Sequence, residues 1–442
     1  MLRNLLAGSC DVNLKGMPIR VLFFFLTLAG AAFCQVKTMT LREAVDLALK
    51  QNPDLMLARL DELKARQQVT IARDPFIPKV YAGSGAAWTN GFPANIEGQA
   101  PSIVQLRTQW TLFNRSQSYQ IAAEKENLRA AEIDSGSKQE DVLYRVAGLY
   151  LDAEQAETAQ EAAQSEVENL SKVLELIQAR VDEKRELPIE ASRAKLALER
   201  AKNSVESFTL DALNAETALA LALGLNPGDR VRAAAGEPAQ FHVPESEEQT
   251  IARALENSRA LKKLESEMQA RMLEIKGYRA QRLPKVDAIA QYELFAKYYY
   301  QNYFTTFQRN SGQLGASIEV PVLVGKSARA YIEQADADLA KLRIETATTR
   351  ARITADLRRA YQEVKRADSA RDLAQADLEL AREQVSMNLA QYNEGRLPMA
   401  SLEQSRAVES EKYLALYQAR NLTERARLNL LHLSGMLETA LR

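Results

Sequence analysis

The chain has 442 residues, and 57 basic against 58 acidic side chains leave a formal net charge of -1. That balance excludes nucleic acid as a main partner, because phosphate binding needs a basic excess. With 18 glycines and 13 prolines the chain is neither collagen-like nor of low complexity, and it has few places to break a helix. Two cysteines (Cys10, Cys34) and two histidines (His242, His432) leave almost no material for a zinc site, a disulfide framework or a thiol enzyme. Neither a cofactor nor catalysis is expected.

Residues 1–35 read as an export segment. From Met17, an alternative start, Arg20 precedes an apolar run over 21–33 and then small residues. The run is shorter than the roughly 20 residues that a membrane-spanning helix needs, so cleavage between Ala31 and Gln35 is expected. A lipid on Cys34 is the alternative, disfavoured because Phe33 is bulkier than lipoprotein processing accepts. After Val36 no stretch is long and apolar enough for a transmembrane helix, but short alternating barrel strands escape that test.

The remainder repeats once. The segment from Ala44 and the segment from Thr250 align at a constant offset of 206 residues. Ala48 meets Ala254, Leu49 meets Leu255, Leu55 meets Leu261 and Arg73 meets Arg279; Pro78-Lys79-Val80 meets Pro284-Lys285-Val286. Leu187-Pro188 meets Leu397-Pro398 at an offset of 210. The spacing predicts a first repeat over 36–225, a linker over 226–248, a second repeat over 249–436 and a tail over 437–442. Each repeat runs helix, two strands, long helix, helix: 40–73, 116–183 and 188–223 are helical in the first, and 249–280, 326–394 and 398–434 in the second. Leu170, Val173, Leu174, Ile177 and Val181 form one packing stripe at i, i+3, i+4, i+7 and i+11. The two shorter helices of each repeat, stacked end to end, match the long one running back, a column of roughly 100 Å at 1.5 Å per residue. Four such columns side by side make a rod or part of a cylinder wall.

Between the helices the pattern switches to period two. Val80, Ala82, Ser84, Ala86 and Trp88 oppose Tyr81, Gly83 and Gly85; Val104, Leu106, Thr108, Trp110 and Leu112 oppose Gln105, Arg107, Gln109 and Thr111. The second repeat has Val286, Ala288, Ala290, Tyr292 and Leu294 against Asp287, Ile289, Gln291 and Glu293, then Leu314, Ala316, Ile318 and Val320 against Gly315, Ser317 and Glu319. One apolar and one polar face over about nine residues is the pattern of barrel strands. Trp88, Trp110, Tyr298, Tyr299, Tyr300 and Tyr303 are candidates for an interfacial girdle. Four strands cannot close a barrel, and open edges cannot face lipid. The chain is therefore expected to supply one sector of a symmetric oligomer.

These features resemble the TolC-like outer-membrane efflux family. The residues that carry the resemblance are TLREAVDLALKQNP at 40–53, WTLFN at 110–114 and LGLNPG at 223–228, then LPKV at 283–286, VPVLVG at 320–325 and Tyr392-Asn393-Glu394-Gly395. It implies a mainly α protein with a small β-barrel sector: a homotrimer whose 12-stranded outer-membrane barrel continues into an α-helical periplasmic tunnel. It also implies an exit duct that works with a periplasmic adaptor and an inner-membrane RND, ABC or MFS transporter, without catalysis or cofactor. Family members narrow the tunnel with aspartates six and nine residues after the last hairpin glycine. Counted from Gly395 those places hold Ser401 and Gln404, with Glu403 between them, so a polar, mostly uncharged constriction is expected. Tyr392 matches its family place and is expected to reach the other hairpin, at Asp182 or Glu183. Arg185, Leu187 and Pro188 at one tip, with Gly395, Arg396, Leu397 and Pro398 at the other, are the implied adaptor-docking points; both prolines also suit a helix first turn. The alternative reading is a periplasmic coiled-coil adaptor or scaffold, disfavoured because the chain has two hairpins and only short strands.

Overall fold

The computed structural model describes residues 36–85, 102–226, 228–234, 241–244, 246–295, 310–322 and 325–441. Segment 1–35, Trp88, Tyr298, Tyr299, Tyr300 and Tyr303 lie outside them. In chain order the first repeat contains β1 (Val36–Met39), α1 (Leu41–Gln51), α2 (Pro53–Arg73), β2 (Lys79–Gly85), β3 (Ser102–Asn114), α3 (Arg115–Asp182) and α4 (Pro188–Ala222). After β4 (Arg230–Ala233) come α5 (Glu247–Asn257), α6 (Arg259–Ala280), β5 (Lys285–Phe295), β6 (Asn310–Glu319), α7 (Ser327–Asn393), α8 (Met399–Ser434) and the short α9 (Leu437–Leu441).

The expected helix 40–73 is broken. Thr40 opens α1 with a capping box, its hydroxyl accepting from the Glu43 amide while the Glu43 carboxylate accepts from the Thr40 amide. Pro53 then has no amide to donate and holds Asn52 in extended backbone, with ψ at 127°. The Asn52 side chain accepts from the amides of Asp54 and Leu55 and donates to the Ala222 carbonyl at 2.7 Å, tying the kink to the end of α4. Gly224 follows in left-handed backbone, with φ at 77°, and a Cβ there would meet the Gln51 carbonyl oxygen at 2.5 Å. The expected helix 249–280 breaks at Ser258, 206 residues after Asn52, and the Ser258 hydroxyl caps the Leu261 amide. The two repeats share one joint.

The long helices are continuous, α3 with 68 residues and α7 with 67. Packing runs in a single layer. Above the joints α2 lies on α3, α3 on α6 and α6 on α7; below them α4 lies on α3, α3 on α8 and α8 on α7. At the level of the joints β1 pairs in parallel with β4, from Val36↔Arg230 to Met39↔Ala233. Val231 and Ala233 pack there against Ala44, Ala48, Val142 and Val146. One strand of this small sheet, β4, falls within the stretch read from sequence as a linker, and the other, β1, opens the first repeat; strands of four residues are too short to show a period.

The other four strands form one antiparallel sheet in the order β2-β3-β5-β6. Its registry keeps each face continuous: Ala82, Leu106 and Tyr292 lie in one row on the apolar side, and Tyr81, Arg107, Gln291 and Gln313 in one row on the polar side. Among the described residues no helix is long and apolar enough to cross a membrane.

Candidate functional site: the hairpin tips and the sheet

Both hairpin tips are built by the same local rule. At the end of α3 the Lys184 amide donates to the Val181 carbonyl and the Arg185 amide to the Arg180 carbonyl; at the end of α7 the Gly395 amide donates to Tyr392 and the Arg396 amide to Gln391. Each is a Schellman turn, which needs one left-handed residue after the helix. Gly395 supplies it at φ 74°, whereas the first tip uses Lys184 at φ 59°. Each tip also pairs its arginine with the glutamate two residues back, Arg185–Glu183 at 3.2 Å and Arg396–Glu394 at 3.1 Å. The first tip is one residue longer, by Glu186. Pro188 occupies the first helical position of α4, and Pro398 sits one place earlier, as the cap of α8.

The tips meet across a cleft of about 630 Å³ whose lining includes Arg180, Glu186, Tyr392, Arg396, Leu397 and Pro398. Tyr392 does not reach Asp182 or Glu183. The Arg180 guanidinium, from one turn earlier in α3, lies over its ring with 5.3 Å between carbon and centroid. Behind that contact, Met399 and Leu402 of α8 are buried against Val173 and Ile177 of α3 and Ala194 of α4. Leu174 and Val181 pack against the same cluster, so four members of the predicted packing stripe hold one hairpin on the other.

The three expected constriction residues separate. Ser401 is half-buried and Gln404 is exposed on α8. Glu403 turns into a groove of about 670 Å³ between α3 and α8, shared with Glu161, Glu166, Glu409 and Arg406. Its carboxylate is 3.0 Å from Arg406. Burial pushes the Glu403 carboxyl above the usual glutamate range and Arg406 opposes this; burial also raises Glu166, against a hydrogen bond from Ser410. No sequence signal pointed to Arg180 or to this groove, because both depend on how α8 is rotated against α3.

On the sheet, Trp110 lies on the apolar side, and its indole NH donates to the Phe76 carbonyl at 2.8 Å, where strand meets helix. An amphipathic ring anchored at that junction suits a membrane–water interface. The polar side is hydrogen-bonded across strands, Thr111 to Asp287 at 2.7 Å and Gln105 to Glu293 at 2.9 Å. His242 is exposed, and His432 stacks on Tyr144 with centroids 4.6 Å apart, far from both tips.

The sequence profile of outer membrane efflux proteins matches residues 44–225 and 250–436, most of the chain and both repeats. The chain belongs to the outer membrane efflux protein family. Protein CyaE of Bordetella pertussis (strain Tohama I) is 26% identical over 336 residues, covering 73% of this chain and 70% of that protein. Among solved structures the Campylobacter jejuni CmeC outer membrane channel has a TM-score of 0.74 at 16% identity, over 90% of this chain and 86% of that one. The open state of the Neisseria gonorrhoeae MtrE outer membrane channel has a TM-score of 0.71 at 19% identity, over 90% and 89%. At these identities the structures establish the fold, and the family establishes the class of function. The protein is an outer-membrane efflux or secretion channel, a transport duct and not an enzyme. Efflux family channels work within systems that include adaptor and inner-membrane partners.

Proposed function

We propose that three copies of this chain close into a passive exit duct, with a 12-stranded barrel in the outer membrane and a helical tunnel through the periplasm. The observation that carries this reading is the single-layered wall with two unfinished edges. One edge is α2 above α4, the other is α7, and the sheet ends in β2 and β6, whose outer sides have no partner strand among the described residues. Met56, Leu57, Leu60 and Leu63 are exposed on α2, and Ile344, Leu373, Leu380 and Met387 on α7. Apolar stripes on both edges and unpaired strands in lipid each require a neighbour, and a rotational ring of identical copies satisfies all of them at once. The two tips, through Arg185, Leu187, Pro188, Gly395, Arg396, Leu397 and Pro398, dock the periplasmic adaptor of an RND, ABC or MFS transporter. Tyr392, Ser401 and Gln404 line the constriction, and Glu403 is withdrawn from it by Arg406.

Single-channel recording of the purified protein in a planar bilayer tests the duct and its constriction together. The wild type gives discrete steps indifferent to divalent cations, and the Ser401→Asp, Gln404→Asp double variant gives steps that divalent cations block. Steps indifferent to the added aspartates would remove the constriction from these positions. A folded, oligomeric sample that never inserts would contradict the barrel.

A further inference from the structure

The polar face of the sheet carries charge at several heights, and most of it is ion-paired or hydrogen-bonded where it stands. Lys79 contacts the Asp74 carboxylate at the junction with α2. Lys285 lies 2.8 Å from Asp287, which also accepts from Thr111. Glu293 is 7% exposed and accepts from the side-chain amides of Gln105 and Gln291. Arg107 differs from all of these. It is exposed, and among the described residues it has neither an ion-pair nor a hydrogen-bond partner. The rest of its row is uncharged: Tyr81 on β2, Gln291 on β5 and Gln313 on β6. Glu319, the other unpartnered charge among the described residues of this face, stands opposite Lys285. Six residues of β5 separate that row from the row of Arg107, roughly 20 Å at about 3.3 Å per residue. Salt screens exposed charges within about 8 Å at physiological ionic strength, so Glu319 does not cancel Arg107.

We infer that Arg107 is the charge-selective residue of the barrel, a guanidinium on an otherwise neutral belt that favours anionic solutes over cations at that height. The inference rests on the proposal that the polar face lines the lumen of an oligomeric barrel. Each protomer then contributes one Arg107 to the same ring, and identical cationic side chains around a pore raise the local anion concentration. Glu293, one row away, opposes the effect only in part, because it is buried in the wall whereas Arg107 is exposed. The uncharged Ser401 and Gln404 leave no compensating ring of strong charge on the predicted constriction.

The test is the reversal potential across a planar bilayer holding the full-length, signal-cleaved protein under a tenfold KCl gradient. Arg107→Gln is expected to raise the ratio of potassium to chloride permeability at least twofold, Arg107→Glu to raise it further, and Arg107→Lys to leave it near the wild-type value. The shift is expected to shrink at high salt, as screening requires. Arg107→Cys gives an independent route. A cationic thiol reagent added to the open channel restores the wild-type ratio and an anionic reagent moves it the other way. Unchanged ratios in Gln and Glu variants that still conduct in steps would overturn the assignment while leaving the duct intact. A wild-type protein without steps would overturn the duct and this assignment with it.

Discussion

Lys184 and Gly395 hold equivalent places in the two tip turns, and only the second residue is free of a Cβ. A left-handed residue other than glycine costs about 1–2 kcal/mol, so the first tip holds strain that the second lacks. Both tips were legible as helix stops in the sequence, the Asp-Glu-Lys-Arg run through its repeat partner Asn-Glu-Gly-Arg, but the left-handed residue of the first tip was not, because nothing in a lysine announces positive φ. The same limit applied to Tyr392. Its place near the other hairpin was readable from the resemblance, but its partner was not. The ring lies under a guanidinium, so Tyr392→Phe is expected to leave the contact between the tips unchanged, while Tyr392→Ala and Arg180→Gln each weaken it by about 1 kcal/mol. Opening frequency in single-channel records checks this, and a phenylalanine variant as leaky as the alanine one would point to a hydroxyl contact instead. His432 supplies a pH test. Burial on Tyr144 lowers its basicity and Asp141 only partly restores it. The unfolded chain then takes up the proton first as pH falls, so this residue costs no stability above the ordinary histidine range and costs progressively more below about pH 6.5. Melting at pH 7.5 and 5.5 is expected to show a larger loss in the wild type than in His432→Gln.

At the scale of elements, helices and strands were readable to within a few residues because their periods are long and uninterrupted. The two joints were not. Asn52-Pro53 is a visible turn signal, but the apolar pattern continues on both sides of it. Ser258-Arg259 carries only the weak cap signal of a serine, without a proline, and is most readily recognised as the repeat partner of Asn52. The joints matter because they let a short helix turn onto the column beneath it. Asn52→Ala removes two cap bonds and the bond to Ala222, and is expected to cost about 1–2 kcal/mol; Ser258→Ala removes one cap and is expected to cost about 0.5–1 kcal/mol. Thermal unfolding followed by helical circular dichroism in detergent measures both. Equal losses would mean that the link between α2 and α4 contributes nothing.

For the molecule as a whole, column lengths and strand alternation already specified a wall with a sheet at one end. The β1–β4 pairing at the joint level was not legible in the sequence, because registry between strands nearly 200 residues apart has no local signature. What gives the wall its meaning is incompleteness. A layer of helices that buries Val142, Val146, Leu357 and Leu428 within one chain still leaves leucine stripes at both edges and unpaired strands on either side of the sheet. Imaging the detergent-purified, signal-cleaved protein by single-particle electron microscopy shows whether three copies close into a duct. Particles of three-fold symmetry are expected, with a continuous passage along the axis and α7 of each protomer against α2 and α4 of the next. Monomers, or a ring of another order with no axial passage, would contradict that closure.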